Sequence, residues 1–435
     1  MGNYLGSTSL QQQQMLKELG LTSLDELFEN IPKKVKLDLP LGKSELEVAR
    51  QLRSIAAKNK IYSSIFRGAG SYNHYIPSIV KALASKEEFL TAYTPYQPEI
   101  NQGLLQTIFE YQTMICQLTD MDVANASVYD GSSAAAEATV MCKERNRQTV
   151  LISASSHPDV IETIATYCDG SNTPYKIVPT KEGVTDLEKL DSLLNEESSC
   201  FYVQQPNYLG LLEECTTISA LVHAKGAKFI MGVNPIALSI IKSPGECNAD
   251  IAVGEGQPLG LPLAFGGPYL GFMATKSSMT RKLPGRIVGQ TVDSEGNRGF
   301  VLTLQAREQH IRREKATSNI CSNQAHCALT AAIYLSAMGS VGLKQAASLS
   351  TSKAHYLANQ LGEIGLDLVY QKEFFNEFVT KCDSDLKNKI LQKLEEHSIL
   401  GPLPIEEGLL WCCTEVNSKE EIDKVVELVA KVVLK

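Results

Sequence analysis

A short run of small and acidic residues could bind a phosphate group. Asp130, Gly131, Ser132 and Ser133 directly precede residues 134–145, a segment of strong helix formers. The first backbone N–H groups of a helix lack partners within the helix, and together with serine hydroxyls they can hold an anion. The same residues would equally make a well-capped helix whose small side chains allow close packing. The pattern alone leaves both interpretations open.

Two other segments place aromatic and hydrogen-bonding side chains beside glycine or proline. Rigid aromatic rings on a loop can form the wall of a pocket. A structured turn that packs tyrosine against the core is an equally good interpretation. The side chains in question are Tyr93, Tyr96 and Gln97 in the first segment, and Tyr72, Asn73 and His74 in the second.

Residues 254–271 form a stretch rich in glycine and proline. Gly254 and Gly256 are followed by Gly260, which is one residue too late for a dinucleotide-binding fingerprint, and no helical run follows. A long irregular segment inside an α/β domain often belongs to a functional site. We therefore expect a functional loop here, and not a Rossmann turn.

The spacing of cysteine and histidine predicts no metal site. The 11 Cys and 7 His include neither Cys-x-x-Cys nor His-Glu-x-x-His. Scattered, unpaired cysteines are typical of a reducing compartment, and the first ten residues lack a secretory signal, so we expect a cytoplasmic protein. The formal net charge of −8 and the lack of a long uncharged apolar run argue against nucleic-acid and membrane partners.

These residues must be positioned by an alternation of strands and helices. The order predicts an α/β fold with a mainly parallel sheet and helices on both faces. We expect an N-terminal arm at 1–62, a large α/β domain at 63–340 and a small α+β domain at 341–435. The predicted strands are 149–152, 175–178, 200–203, 228–231, 251–253, 366–370, 374–379 and 409–414, and the predicted helices are 103–119, 134–145, 158–168, 185–194, 215–225, 302–315, 321–338, 343–362, 383–396 and 418–433.

Several long motifs together resemble the P-protein family of the glycine cleavage system. The resemblance extends over essentially the whole chain and matches the first subunit of the split bacterial form. It implies the aminotransferase-like type I pyridoxal-phosphate fold. The motifs are Gly68-Ala69-Gly70-Ser71-Tyr72-Asn73-His74-Tyr75-Ile76-Pro77, Tyr93-Thr94-Pro95-Tyr96-Gln97-Pro98-Glu99-Ile100, Tyr129-Asp130-Gly131-Ser132, Phe265-Gly266-Gly267-Pro268 and Arg312-Arg313-Glu314-Lys315-Ala316-Thr317-Ser318-Asn319-Ile320-Cys321.

The resemblance also implies an activity and a set of partners. P-protein is the pyridoxal-phosphate glycine decarboxylase (oxidoreductase, EC 1.4.4.2), which releases CO₂ from glycine and passes the aminomethyl group to lipoyl H-protein. It works with T-protein and L-protein. A first subunit is expected to pair with a homologous subunit 2, as an α2β2 heterotetramer.

Two positions depart from what a pyridoxal-phosphate enzyme of this family needs. Such an enzyme holds its cofactor with a Schiff-base lysine and an acid at the pyridinium nitrogen. By resemblance, the lysine position is Gln257 and the acid position is Met231. An amide cannot form a Schiff base and a thioether cannot ion-pair a pyridinium. We therefore expect a vestigial site, with Asp130, Gly131, Ser132 and Ser133 as its former phosphate loop.

The expected consequence is that subunit 2 binds pyridoxal phosphate covalently while this chain contributes residues to its partner's site. Tyr93 and Tyr96 are expected to wall the substrate, and four further residues to lie near the partner's cofactor. Two alternatives remain open: a self-sufficient lyase or aminotransferase that uses Lys276 or another lysine of this chain, or a non-catalytic scaffold subunit. The four residues near the cofactor are Gln97, Tyr72, Asn73 and His74.

Overall fold

The computed structural model describes residues 6–32, 41–92, 94–305, 308–320 and 323–434. The chain divides into two units, Met1–Ile61 and Tyr62–Lys435. The first unit contains helices α1 (Ser9–Glu18) and α2 (Glu45–Ala56). Both helices begin with a capping box, in which a serine or threonine hydroxyl and a glutamine or glutamate satisfy the first N–H groups.

The second unit contains the remaining helices and all the strands among the described residues. The helices are α3 (Ser78–Ala84), α4 (Glu87–Leu90), α5 (Gln102–Thr119), α6 (Gly131–Cys142), α7 (Pro158–Gly170), α8 (Leu187–Leu193), α9 (Cys215–Ala224), α10 (Gln309–Arg312), α11 (Ala325–Glu363), α12 (Ser384–Glu396) and α13 (Lys419–Val433). The strands are β1 (Ser64–Ile65), β2 (Val123–Ala124), β3 (Thr149–Ser153), β4 (Tyr175–Val178), β5 (Thr180–Lys181), β6 (Val184–Thr185), β7 (Ser198–Gln205), β8 (Lys228–Val233), β9 (Ile251–Glu255), β10 (Gly271–Thr275), β11 (Ile287–Val292), β12 (Arg298–Thr303), β13 (Glu377–Thr380), β14 (Ile399–Leu400), β15 (Leu403–Pro404) and β16 (Leu409–Cys412).

The main sheet has seven strands in the order β2-β10-β9-β8-β7-β3-β4. Strands β4, β3, β7, β8 and β9 run parallel, while β10 runs antiparallel to both of its neighbours. The central strands are nearly continuous apolar runs because helices cover both faces of the sheet. Helices α6 and α7 pack on one face, and α5, α9 and α11 pack on the other. The predicted mainly parallel α/β fold is confirmed.

A smaller, separate sheet has three strands in the order β13-β16-β15 and a hydrophobic core of its own. Its core contains the fully buried Trp411, whose indole N–H donates to Thr380 Oγ1 at 2.9 Å. Helices α12 and α13 and the second half of α11 pack against this sheet through buried apolar side chains such as Val425 and Leu357. Because α11 also packs on the main sheet, one helix contributes to both cores.

Two predictions about secondary structure are wrong. The predicted helix at 302–315 is instead, among its described residues, the end of the β11–β12 hairpin followed by the short α10. That hairpin packs Val288 and Phe300 against α5, so tertiary packing decides the conformation. The predicted helices 321–338 and 343–362 are confirmed for their described residues as the two halves of α11, which is kinked between them at Gly339, where φ is 58°. Residues 366–370 form no strand, and only Leu368 bridges Thr380 there.

Helix α11 is long and apolar enough to cross a membrane by length and composition, which was not expected from the sequence. Half of its most apolar window is buried inside the protein. The buried central helix of a globular core passes the same test, so the feature is weak evidence for a span.

Candidate functional site

A cavity of about 410 Å³ lies at the carboxyl edge of the main sheet. Gln204, Asn234 and Glu255 line it from the ends of β7, β8 and β9 or just beyond, and Gly131 and Ser132 line it from the start of α6. In open parallel sheets the carboxyl ends of the strands and the N-termini of the following helices converge, which is where such folds bind ligands. The cavity therefore stands where the sheet topology predicts a functional site.

Glu255 is the last residue of β9, and its carboxylate lies at this edge of the sheet. Its Oε2 accepts the backbone N–H of Gly131 at 3.0 Å, and its Oε1 accepts those of Gln257 and Leu270 at 2.9 Å each. Burial raises the pKa of Glu255, and the three backbone donors partly offset that rise. The sequence analysis missed Glu255, although a lone charge between two glycines directly after a buried strand was an available signal.

The Gln257 side chain is fixed by the backbone around it. Its Oε1 accepts the N–H of Tyr72 at 2.9 Å, while its Nε2 donates to the carbonyls of Tyr72 at 3.0 Å and Leu261 at 2.8 Å. The residue is 1% exposed. The amide therefore ties the β9–β10 loop to the segment before α3, and it does not line the cavity.

The predicted phosphate loop forms the start of α6, as a helix cap. Asp130 is the N-cap residue, and its Oδ1 accepts the N–H of Ser133 at 2.7 Å. Asp130, Gly131 and Ser132 line the cavity, whereas Ser133 does not. Three of the four loop residues thus line the cavity, and the backbone N–H groups of Gly131 and Ser133 are bound to carboxylates of this chain.

Met231 lies inside the sheet and does not line the cavity. It is fully buried in β8 among apolar side chains of the core, including Phe229 and Ala252. The neighbouring Gly232, Val233 and Asn234 line the cavity instead. The acid position expected from the resemblance is therefore a packing position in this chain.

Tyr72 reaches the smaller sheet through a buried carboxyl group. Its hydroxyl donates to Glu377 Oε2 at 2.7 Å, and the backbone N–H of Ala69 donates to Oε1 at 2.6 Å. Burial raises the pKa of Glu377 to about 7. Burial, and then the Glu377 carboxylate, raise the pKa of Tyr72 well above its ordinary value. Sequence reasoning missed Glu377 because its partners lie some three hundred positions away.

Asn73 and His74 are bound on the other side of this segment and do not line the cavity. His74 Nδ1 lies 2.7 Å from Glu415 Oε2, and Thr414 Oγ1 donates to the Asn73 carbonyl at 2.7 Å. Burial opposes ionisation of Glu415, but the hydrogen bond and charge of His74 lower its pKa overall. These residues hold the segment against the chain after β16.

His157 is a cavity residue that the sequence analysis did not single out. Its Nδ1 accepts the N–H of Asp159 at 3.1 Å at the start of α7, and its Nε2 lies 3.1 Å from the Ala69 carbonyl. With Nδ1 as the acceptor, the hydrogen on Nε2 can be donated to that carbonyl. The ring meets Tyr208 edge-on with centroids 4.9 Å apart.

Of the predicted aromatic wall, the structure describes Tyr96 and does not bring it to this cavity. Tyr93 falls outside the described residues, while Tyr96 and Gln97 do not line the cavity. Tyr96 is 51% exposed, and its hydroxyl accepts a hydrogen bond from Arg286 Nη2 at 3.0 Å. The Arg286 guanidinium lies 5.4 Å from the centroid of the Tyr96 ring. Tyr96 is thus held by a buried cation and presented to the outside of the chain.

None of the described residues that line the cavity is a lysine or an arginine. Lys228 is the first residue of β8, so it lies at the amino edge of the parallel strands, opposite the cavity. Lys276 follows the antiparallel β10, whose last residue pairs with the first residue of β9, so it lies at the same edge as Lys228. The Lys276 amine donates to Asn248 Oδ1 at 2.8 Å and lies 3.7 Å from Asp250 Oδ1. Within the described parts of the chain no group of three or more metal-ligating side chains occurs.

Comparisons with known proteins agree with one another. The model of the glycine cleavage system P-protein family matches residues 2–429. A probable glycine dehydrogenase (decarboxylating) subunit 1 of Desulfitobacterium hafniense is 48% identical over 440 residues, covering 98% of each chain. A crystal structure of glycine decarboxylase (P-protein) in inhibitor-bound form superposes with a TM-score of 0.91 at 41% identity, covering 99% of this chain and 100% of that one.

A more distant structure shares the fold alone. A C-DES mutant with glycine covalently linked to its PLP cofactor superposes with a TM-score of 0.62 at 15% identity, covering 86% of this chain and 97% of that one. The likeness confirms the type I pyridoxal-phosphate fold that the motifs imply.

Proposed function

The chain belongs to the glycine cleavage system P-protein family, and from this premise we propose that it completes a glycine decarboxylase whose cofactor is bound by subunit 2. The pair would release CO₂ from glycine and pass the aminomethyl group to lipoyl H-protein, with T-protein and L-protein acting on the product. We propose an α2β2 assembly in the cytoplasm. This chain would contribute by supporting the assembly and by providing residues to the partner subunit's active site.

The observation that carries the proposal is that Gln257 has an amide side chain and that backbone groups hold this amide by hydrogen bonds. An amide nitrogen is not nucleophilic, because its lone pair is delocalised, and this amide is bound on both sides by backbone groups. No described lining residue supplies an amine in its place. A chain that belongs to a glycine decarboxylase and lacks the reacting amine needs that amine from another chain.

The residues of the cavity do not fit pyridoxal phosphate. Such a site needs a Schiff-base lysine, an acid for the pyridinium nitrogen and free donors for the phosphate. By resemblance, Gln257 and Met231 stand in the first two positions, and the Gly131 N–H already donates to Glu255. We therefore assign no catalytic step to this cavity.

The residues offered to the partner are those on the exposed loop before α5. Tyr96 is exposed and fixed in direction by Arg286, which supports a role as a rigid wall against the partner's substrate. We propose the same wall role for Tyr93, and for Gln97 a place near the partner's cofactor. For Tyr72 we propose a holding role within the chain, because its hydroxyl is bound by Glu377.

We expect glycine turnover only from the pair. The experiment co-expresses the chain with a candidate subunit 2 and compares glycine–bicarbonate exchange by each chain alone and by both together. Exchange by the pair and not by either chain is the expected result. Turnover by this chain alone would overturn the proposal.

The same co-expressed subunits also distinguish the proposal from its two alternatives. A self-sufficient enzyme would need a lysine of its own at the cavity. Lys276 lies at the sheet edge opposite the cavity, and none of the described lining residues is a lysine, so the geometry does not favour this alternative. A pure scaffold would tolerate Tyr96→Phe without loss of exchange by the pair. A residue that walls the substrate would not.

A further inference from the structure

Three backbone N–H groups from separate segments converge on one carboxylate. They belong to Gly131 at the start of α6, to Gln257 after β9 and to Leu270 before β10, and they lie 2.9–3.0 Å from the Glu255 oxygens. A converging set of backbone donors at a helix start is the arrangement that proteins use to hold phosphate. In this chain, that arrangement already contains an anion.

The helix start is built around that anion. A Cβ added to Gly131 would lie 2.9 Å from the Glu255 backbone nitrogen and 3.0 Å from its Cβ. Only glycine therefore allows α6 to approach the end of β9 closely enough for the hydrogen bond. Glu255 is only partly buried and lines the cavity, yet desolvation is the largest influence on its pKa.

The charges around the helix start oppose a second anion. Asp130 caps the same turn, and its charge raises the pKa of Glu255 further. Glu377 also lines the cavity, and no lysine or arginine does so among the residues that the structure describes there. A phosphate carrying up to two negative charges would meet the carboxyl groups of Glu255 and Asp130 at the helix start, and no lysine or arginine among the described lining residues offsets the repulsion.

We propose that Glu255 is a built-in substitute for the phosphate, which closes the cavity of this chain to phosphate-bearing ligands. The inference goes beyond the loss of the Schiff-base lysine, because a site without lysine could still hold pyridoxal phosphate noncovalently. Glu255 then determines which ligands the cavity binds. The cavity does not bind pyridoxal phosphate, and the cofactor is bound by the partner subunit instead.

The test uses the purified full chain and its Glu255→Ala and Glu255→Gln variants. Inorganic phosphate, pyridoxal phosphate and pyridoxal are each titrated by calorimetry. Gln257→Ala is the matched control, because it removes an amide from the same loop and leaves the carboxylate in place. Circular dichroism checks that each variant is folded.

We expect the weakest phosphate binding from the wild type and from Gln257→Ala. Glu255→Ala should bind phosphate and pyridoxal phosphate at least about tenfold more tightly than the wild type, which corresponds to about 1.4 kcal/mol. Its affinity for pyridoxal should be unchanged, since pyridoxal carries no phosphate. Glu255→Gln keeps the shape and an acceptor oxygen but loses the charge, so its gain should lie between the two.

Two results would overturn the inference: pyridoxal phosphate binding by the wild type as tight as by Glu255→Ala, or a folded Glu255→Ala that gains no affinity. If Glu255→Ala fails to fold, Glu255→Gln decides, and the absence of any gain in that variant overturns the inference. None of these results bears on glycine turnover by the pair, so the inference and the proposed function fail separately.

Discussion

Replacing Glu377 with glutamine should stabilise the protein at neutral and higher pH. The carboxyl group is fully buried, and its pKa is raised from 4.5 to about 7 because burial disfavours the charged form. In the folded state it binds a proton more tightly than in the unfolded state. Its stabilising contribution is therefore complete below about pH 4.5 and is lost as the pH rises to about 7.

The size of the effect follows from the shift. A difference of one pKa unit corresponds to about 1.4 kcal/mol, so the shift of Glu377 amounts to roughly 3 kcal/mol at pH 8. Glutamine keeps an oxygen for the Ala69 N–H, and its amide can donate to the Tyr72 oxygen, so the variant retains the contacts without a charge. We expect Glu377→Gln to exceed the wild type in stability by about 1 kcal/mol or less near pH 5 and by roughly 3 kcal/mol at pH 8.

The assay is urea unfolding of the purified chain at several values between pH 5 and pH 8. Glu196→Gln is the control, since it makes the same charge change at an exposed position. The control should follow the wild-type curve throughout. If the wild type and Glu377→Gln show parallel stability–pH curves, the raised pKa of Glu377 is refuted.

Three further substitutions test other parts of the account. Tyr96→Phe should lower glycine–bicarbonate exchange by the pair on the order of tenfold, as expected for one lost hydrogen bond of about 1.4 kcal/mol, and unchanged exchange would contradict the wall assignment. Gly131→Ala should lower the thermal unfolding midpoint, because the new Cβ would lie 2.9 Å from the Glu255 backbone nitrogen; a midpoint equal to that of the wild type would contradict the close approach. Met231→Asp should cost about 3–5 kcal/mol in urea unfolding, since it buries an unpaired charge in the core, and a stable variant that binds pyridoxal phosphate would show that this position can still act as an acid.

The main sheet could be predicted from local sequence patterns. Its strands are apolar runs separated by amphipathic helices, and an alternation of this kind has few packing solutions. The start of α6 was also predictable, because Asp130 followed by small residues satisfies the first N–H groups by itself. Where the determinants lie within a few residues of each other, the sequence predicts the structure.

The cavity chemistry depended on contacts between distant segments. Glu255 and Glu377 acquire their roles from donors more than a hundred positions away, at Gly131, Ala69 and Tyr72. The β11–β12 hairpin was taken for a helix over part of its length because its conformation is decided by burial against α5. Such features depend on the tertiary fold and leave little trace in the local pattern.

The expectation that Gln257 stands at the position of the reacting lysine comes from the family resemblance. The structure places this residue two positions after β9, in the loop that leads to β10, with its amide fully engaged. The resemblance could not show that the neighbouring Glu255 binds the backbone N–H of Gly131 at the start of α6. The two residues together make the case for a cofactor held elsewhere.

The most direct test of that case is to locate the cofactor in the active pair. Borohydride reduction of the co-expressed subunits, followed by peptide mapping with mass spectrometry, reports which lysine carried pyridoxal phosphate. We predict a reduced adduct on a peptide of subunit 2 and none on this chain. An adduct at stoichiometric yield on any lysine of this chain would contradict the account.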